Sequence, residues 1–266
     1  LFLISTRRVN KMNGPAVIDL SGKIVVVTGA SRGIGRAIVE SFCESGATCV
    51  ILDILEEAGR QTARELNAQG KKVDFLPLDV SDHSDVKKAF TEIFSKYGRV
   101  DVLVNDAGVT LPTPFAECDE NDWERVIGIN LKGCFNTCNA VFPEMIKNGS
   151  GKIINIASIA GKLGGGFRGT AIYAASKAGV IGLTKGLARE GGPSGINANA
   201  VCPGVISTVM GNSIPEEQKK LIIEGTPLKR YGEPREIADV VVFLASDMAG
   251  HVTGEIFDVD GGIVRD

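Results

Sequence analysis

The sequence predicts an α/β fold: one doubly wound domain, a mostly parallel seven-stranded sheet with helices on both faces. Three observations predict it. Apolar runs of strand length alternate with helical patterns along the chain, the order that parallel strands joined by crossover helices produce. The first run, Lys23-Ile24-Val25-Val26-Val27-Thr28, is β-branched without alternation, as in a strand buried on both faces. No linker or internal repeat interrupts the 266 residues, and a chain this long buries about three-quarters of its extended surface without needing staples.

Taken in order, the first strand breaks into Gly29-Ala30-Ser31-Arg32-Gly33-Ile34-Gly35, followed by an amphipathic helix from Arg36 to Ser45 that Gly46 closes. A tight strand-to-helix turn leaves backbone N–H groups free where an anion is favoured. Gly29, Gly33 and Gly35 let a pyrophosphate approach that backbone, although their spacing is not the commoner GxGxxG. The second strand, Thr48 to Leu52, ends at Asp53, 18 residues beyond Gly35. A carboxylate there suits adenosine ribose hydroxyls and repels a 2′-phosphate, whereas Arg32 would attract one. Each charge pair counts about 4 kcal/mol at 4 Å in an effective dielectric near 20, so the nearer group decides. Asp53 at the strand tip is the nearer, and NAD(H) is expected over NADP(H).

Lys72 to Leu78 forms a strand ending at Asp79, and Asp82 to Tyr97 a helix closed by Gly98. Val100 to Val104 leads into Asn105-Asp106-Ala107-Gly108. A long helix over Glu120 to Lys147 carries an apolar stripe of Trp123, Val126, Ile127, Leu131, Cys134, Phe135 and Cys138. Asn130 falls on that stripe, and a buried amide there is either a structural clamp or part of a site. Lys152 to Ser158 is a strand with Ser158 at its tip, and a glycine-rich loop then leads to a helix from Tyr173 to Glu190. Asn197 to Val201 is a strand ended by Pro203-Gly204. A polar, mobile-looking segment spans 206–232, Glu233-Pro234 opens a helix that runs to about Ala245, and Glu255 to Val259 is the last strand, before Gly261-Gly262.

Hydrophobic content of 44% and charged content of 23% describe a soluble globular chain. A net charge of −3 argues against a nucleic-acid surface or a basic membrane patch, and the apolar runs are too short to cross a bilayer. The six cysteines lack CxxC spacing. Cys134 and Cys138 read as one apolar helix face, so no metal is expected and a reducing, cytoplasmic compartment fits. His83, in Ser81-Asp82-His83-Ser84-Asp85, belongs to a solvated helix start. Leu1-Phe2-Leu3-Ile4 precedes Arg7-Arg8, the reverse of a secretory signal. Met12 reads as the natural start and residues 1–11 as a vector-derived or alternative leader. Residues 1–19 are expected to be poorly ordered, with the domain spanning 20–266.

Tyr173 and Lys177 lie one helical turn apart, where an ammonium favours a phenolate and brings a phenol toward proton transfer at neutral pH. In a chain with three tyrosines this pair is weak evidence alone. Its setting adds weight. The glycine turn, Asp53, Asp79, Asn105, Ser158 and Pro203-Gly204 all follow strand ends, the edge at which doubly wound sheets bind ligands.

From Leu20 to Gly262 the residues resemble the short-chain dehydrogenase/reductase family, with its Rossmann-like fold. The resemblance rests on Thr28-Gly29-x3-Gly33-x-Gly35, Asp79-Val80, Asn105-Asp106-Ala107-Gly108, Asn130, Ser158, Tyr173-x3-Lys177 and Pro203-Gly204. It implies hydride transfer between a nicotinamide and a carbinol or carbonyl carbon. Tyr173 is then the general acid/base, and Ser158 orients the substrate oxygen. Lys177 holds the nicotinamide ribose, and Asn130 helps hold a relay water. The resemblance places Ser31, Arg32 and Ile34 along the phosphates, Asp53 on the adenine ribose, Asp79 and Val80 at the adenine, and Asn105 near the ribose. Ala107 and Gly108 join the cofactor set, as do Pro203 and Gly204, with Val205, Ile206 and Thr208 near the carboxamide. It also implies a homo-oligomer, tetrameric or dimeric, built through long helices and the C-terminal strand region.

Two positions depart from the family pattern. Asp106 stands where Asn is usual, losing an NH2 donor and adding a charge that must be paired or protonated if buried. Ser158 and Tyr173 are 15 residues apart, about two more than usual, which reshapes the pocket without removing it. Val109, Leu111, Leu163, Phe167, Val209 and Met210 are the candidate substrate wall, mostly apolar and suited to a ketone or secondary alcohol. The reading is an NAD(H)-dependent alcohol, sugar or hydroxysteroid dehydrogenase. The alternative is an NADPH-dependent carbonyl reductase resembling 3-oxoacyl-carrier-protein reductases. A catalytically silent dinucleotide-binding regulator is the third, opposed by the complete set of Asn130, Ser158, Tyr173 and Lys177.

Overall fold

Seven strands form one sheet in the order β3-β2-β1-β4-β5-β6-β7. The structure is a computed structural model that describes residues 18–165, 171–208 and 216–265. The strands are β1 (Ile24–Thr28), β2 (Thr48–Asp53), β3 (Lys72–Pro77), β4 (Val102–Asn105), β5 (Gly151–Ile156), β6 (Ile196–Pro203) and β7 (Ile256–Val259). Every pairing between them is parallel, so the expectation of a mostly parallel sheet is met in full. Successive side chains of β1 serve opposite layers: Val25 and Val27 join the core on one face, Val26 the core on the other. That is why the run shows no polar alternation.

One layer contains α1 (Gly33–Glu44), α2 (Glu56–Ala68) and α9 (Pro234–Ala245). The other contains α3 (His83–Tyr97), α5 (Gly133–Asn148) and α7 (Ala171–Gly191). Asp82 caps α3, its side chain accepting from the Ser84 and Asp85 amides, and Gly98 ends it in the left-handed region at φ 73°. Among the described residues no helix is long and apolar enough to cross a membrane.

Among the described residues, three α-helices went unread in the sequence. The buried residues of α2 are small or polar except Leu66, so its stripe is faint. A short helix, α6 (Ile159–Leu163), occupies the start of the glycine-rich loop, where Ser158 caps it. Within the polar segment expected to be mobile lies α8 (Glu216–Gly225), where Ile222 is fully buried. The predicted long helix is α4 (Glu120–Ile127), a π-helical turn (Gly128–Lys132) and α5 in succession. That turn shifts the phase of the stripe, leaving Phe135 48% exposed while Val126, Cys134 and Cys138 are buried; Trp123, ahead of the turn, is 45% exposed. Residues 1–17 and the candidate wall residues Phe167, Val209 and Met210 lie outside the described residues.

The strand order reverses between β1 and β4, and the tips of these two strands touch. Gly29 has φ 68°, and a Cβ there would lie 2.7 Å from the Ala107 backbone. Thr28 Oγ1 accepts from the Asp106 and Ala107 amides, each at 3.2 Å. Asp106 lies under the first turn of α1, where a Cβ on Gly35 would come within 2.8 Å of its Oδ2. Burial lifts the Asp106 carboxyl to about 7, opposed by Lys177 and by a hydrogen bond from the Gly35 amide, and aided by nearby Asp53.

A carboxyl lifted in the folded state stabilises the fold fully only below its unfolded value. That contribution is lost as pH rises from the ordinary 3.8 to about 7. Asp106→Asn removes this titration. Its urea midpoint should therefore exceed that of the parent by a margin that grows between about pH 4 and pH 7 and stays flat above. A margin independent of pH would contradict the assignment.

Candidate active site

The carboxyl edge of the sheet collects the chemically active side chains. Beside it, four buried polar residues link the strands to the helices above them. Thr137 Oγ1 donates to Asn105 Oδ1 at 2.6 Å, Asn105 Nδ2 to Asn155 Oδ1 at 2.9 Å, and Asn155 Nδ2 to Thr184 Oγ1 at 2.9 Å. Asn105 thus serves as a clamp between β4, β5 and α5, with both ends of its amide already engaged.

The π-helical turn aims Asn130 at the site. Asn130 is 2% exposed. Its Oδ1 accepts from the Val109 amide at 2.8 Å, while Nδ2 donates to Val109 O at 3.0 Å and to Ser176 Oγ at 3.0 Å. Ser176 Oγ in turn donates to Tyr173 O at 2.7 Å. Asn130 therefore holds the strand-tip loop and braces the first turn of α7, which is a clamp's work. Sequence reasoning missed Ser176 as a partner, although it lies between Tyr173 and Lys177.

Lys177 is 5% exposed and donates to Ile156 O at 2.7 Å, with Nζ 6.0 Å from the centre of the Tyr173 ring. A cavity of about 10 Å³, enough for the centre of one water, lies between Lys177, Asn130, Thr28 and Asn105. Ser158 leaves β5 in an extended conformation at φ −173° and ψ 151°, and its Oγ accepts from the Ala160 amide at 3.1 Å. Among the described residues no acceptor takes the Ser158 hydroxyl proton, and Tyr173 is half-buried at the start of α7.

The glycine turn offers an anion cradle. Gly33 has φ 62°, and α1 begins with no side-chain cap on its free N–H groups. Ser31 Oγ is buried without a partner, the kind of atom a phosphate oxygen satisfies. Arg32 is exposed, and no ion pair or hydrogen bond engages its guanidinium among the described residues. Asp53 is 8% exposed, and its carboxylate accepts from the Ser31 amide at 3.0 Å and the Leu55 amide at 2.9 Å. It is fixed at the tip of β2 against the turn. Across the turn, the Thr208 methyl would be 3.8 Å from a Cβ on Gly33. Half-buried Ile34 packs against the core below, and Ile206 is 6% exposed.

At the remaining strand tips, Asp79 Oδ1 accepts from the Ser81 amide and hydroxyl, at 2.9 and 2.7 Å. Val80 is 8% exposed. Pro203 ends β6, and Gly204 passes so close to β7 that a Cβ would lie 2.7 Å from Asp260 Cα. Val205 O accepts from the Gly232 amide at 3.0 Å. A Cβ on Gly108 would lie 3.3 Å from Asn130 Oδ1 and 3.6 Å from Lys177 Nζ, placing this backbone against the catalytic candidates. Of the described wall candidates, Leu163 is 56% exposed and Val109 half-buried. Leu111 is only 2% exposed and packs with Val126 and Ile172, so it props the loop and does not face a substrate. His83 is exposed, as expected, with Nδ1 3.3 Å from Asn136 Oδ1. No cluster of metal-ligating side chains occurs among the described residues.

A family model described as Enoyl-(Acyl carrier protein) reductase matches residues 29–264. The chain is 43% identical over 245 residues to the 3-oxoacyl-[acyl-carrier-protein] reductase FabG of Thermotoga maritima, covering 92% of this chain and 99% of that one. It is 39% identical over 250 residues to an uncharacterized short-chain type dehydrogenase/reductase, y4mP, of Sinorhizobium fredii, covering 92% and 98%. The crystal structure of gox2181 superposes with a TM-score of 0.90 at 36% identity, covering 92% of this chain and 97% of that one. The chain belongs to the short-chain dehydrogenase/reductase family, the NAD(P)-dependent oxidoreductases that act on CH–OH and C=O groups.

Proposed function

We propose that this chain transfers a hydride between NAD(H) and a secondary alcohol or ketone, with Tyr173 as general acid/base. The observation that carries the reading is the connected set at the strand tips. Asn130 braces Ser176 and thereby the Tyr173 backbone, and the Lys177 ammonium lies 6.0 Å from the Tyr173 ring. When bound, the nicotinamide supplies or accepts the hydride. Tyr173 gives its phenolic proton to the substrate oxygen in reduction and takes one back in oxidation. Ser158 donates its hydroxyl proton to the same oxygen and so holds it in register with the phenol. Lys177 supplies positive charge where the phenol oxygen becomes negative, and its reach from Ile156 O suits a ribose hydroxyl. The cavity beside Asn130 suits a water that returns protons from Lys177 toward solvent.

For the dinucleotide, Gly29, Ser31, Arg32, Gly33, Ile34 and Gly35 would face the phosphates, and Asp53 the adenine ribose. Asp79, Val80, Asn105, Ala107 and Gly108 would follow along the strand tips, with Pro203, Gly204, Val205, Ile206 and Thr208 at the carboxamide end. The fixed carboxylate of Asp53 supports NAD(H), because a 2′-phosphate would enter against its charge. A second reading, NADPH-dependent reduction of a 3-oxoacyl thioester, is supported by exposed Arg32 and by the activity named for the Thermotoga relative. Val109 and Leu163 would contribute to the substrate wall.

We further propose a homo-oligomer, favoured by exposed Trp123, Phe135 and Ile146 along α4 and α5. All six thiols are free, Cys43 and Cys49 lying 3.7 Å apart, in keeping with a reducing, cytoplasmic compartment.

Fluorescence titration separates the two cofactor readings. NADH should bind at least about tenfold more tightly than NADPH, and tighter NADPH binding would overturn the role given to Asp53. Tyr173→Phe should lower kcat by about 10²- to 10⁴-fold on a panel of alcohols and ketones while leaving nucleotide affinity within about twofold. Unchanged kcat would remove Tyr173 from the reaction.

A further inference from the structure

The short helix α6 carries an ion pair that the reaction scheme does not use. Lys162 Nζ lies 2.6 Å from Asp258 Oδ2 on β7, with only 18% and 17% of the two side chains exposed. Asp258 Oδ1 is buried without a hydrogen-bond partner. This carboxylate is therefore desolvated and leans on Lys162 for compensating charge.

The pair closes a ring of contacts around Ser158. Asp258 stands beside Cys202 in the β6–β7 register, and Val201 O, one residue before Cys202, accepts from the Ala157 amide, one residue before Ser158, at 2.8 Å. Ser158 Oγ accepts from the Ala160 amide, so the serine that faces the substrate oxygen is also the cap of α6. One residue before Lys162, Gly161 lies flat on α7, where a Cβ would come within 2.8 Å of the Lys177 and Ala178 backbone. Five residues cannot hold a helix by their own hydrogen bonds. The direction of α6, and with it the Ser158 hydroxyl, must be set by what α6 touches. Gly161 sets its distance from α7, and the ion pair sets its rotation toward β7.

We propose that Lys162 and Asp258 are a positioning pair that holds α6 and so aims the Ser158 hydroxyl at the substrate oxygen. The inference rests on the role given to Ser158 above, and the test separates the two. Loosening α6 displaces a hydrogen-bonding group by a fraction of an ångström to an ångström, a shift that lowers turnover by about 10- to 100-fold.

The experiment measures kcat at saturating nucleotide and saturating panel ketone, nucleotide affinity by fluorescence, and amide exchange of the peptide spanning 158–165. Lys162→Met should lower kcat by about tenfold or more, speed exchange across that peptide, and leave nucleotide affinity within about twofold, while Lys162→Arg restores most of the turnover. Lys162→Met combined with Asp258→Asn removes both charges of the pair and protects the test against misfolding of the single variant. Its kcat should stay low, and recovery to the parent value would show a merely structural pair. In a Ser158→Ala background, Lys162→Met should have no further effect on kcat, because the group it aims is gone. An equal fold-loss in both backgrounds would overturn the proposal, as would parental kcat in a folded Lys162→Met protein. Parental kcat in Ser158→Ala alone would instead sink the role given to Ser158, and the positioning proposal with it.

Discussion

The site depends on one constraint, the parallel pairing of all seven strands. Parallel strands send every carboxyl end to the same edge, and at the β1–β4 junction the connections leave toward opposite layers. A crevice opens there without any side chain being spent on it. The glycine turn, the tip of β4 and the end of β5 meet at its floor. Gly29 must be glycine because the Ala107 backbone occupies the space of a side chain.

Fixing chemistry at that edge requires burying polar groups, and the fold satisfies them by linking them to one another. Asn105 and Asn155 tie two adjacent strands to helices in the same layer. Asn130 is held on both sides of its amide by Val109 and passes the restraint through Ser176 to the start of α7. The π-helical turn makes this possible, since it redirects one residue of a long helix toward the strand tips. The same networks that stabilise the core therefore orient the groups that would meet a substrate. Asp106 is less well served, a carboxyl beneath the glycine turn whose charge burial disfavours despite nearby Lys177.

Much of this was readable in the sequence for a physical reason. Strands buried on both faces leave unbroken apolar runs, and strand-end residues such as Asp53 and Ser158 stand out against them. The helix α9 was legible because Pro234 marks its first turn, and the structure adds a Glu233–Glu236 capping box there. What escaped lacked such marks. Helix α6 sits among glycines and is held by contacts distant in sequence, and α2 buries little that is apolar. Phe135 falls on the apolar stripe of the sequence yet lies exposed, because a π-turn shifts helical phase without a sequence signal. Leu111 was misread because an apolar loop residue looks the same whether it lines a pocket or props one.

On the function proposed above, these strand-tip residues support direct hydride transfer between a nicotinamide and a substrate carbon. The most direct test uses NADH carrying deuterium at the transferable nicotinamide C4 position with a ketone that the enzyme reduces, followed by mass spectrometry of the alcohol. A single deuterium should appear on the carbinol carbon, and that carbon should gain none when the label is placed in the solvent. Label arriving from solvent, or an unlabelled product from labelled NADH, would contradict direct transfer.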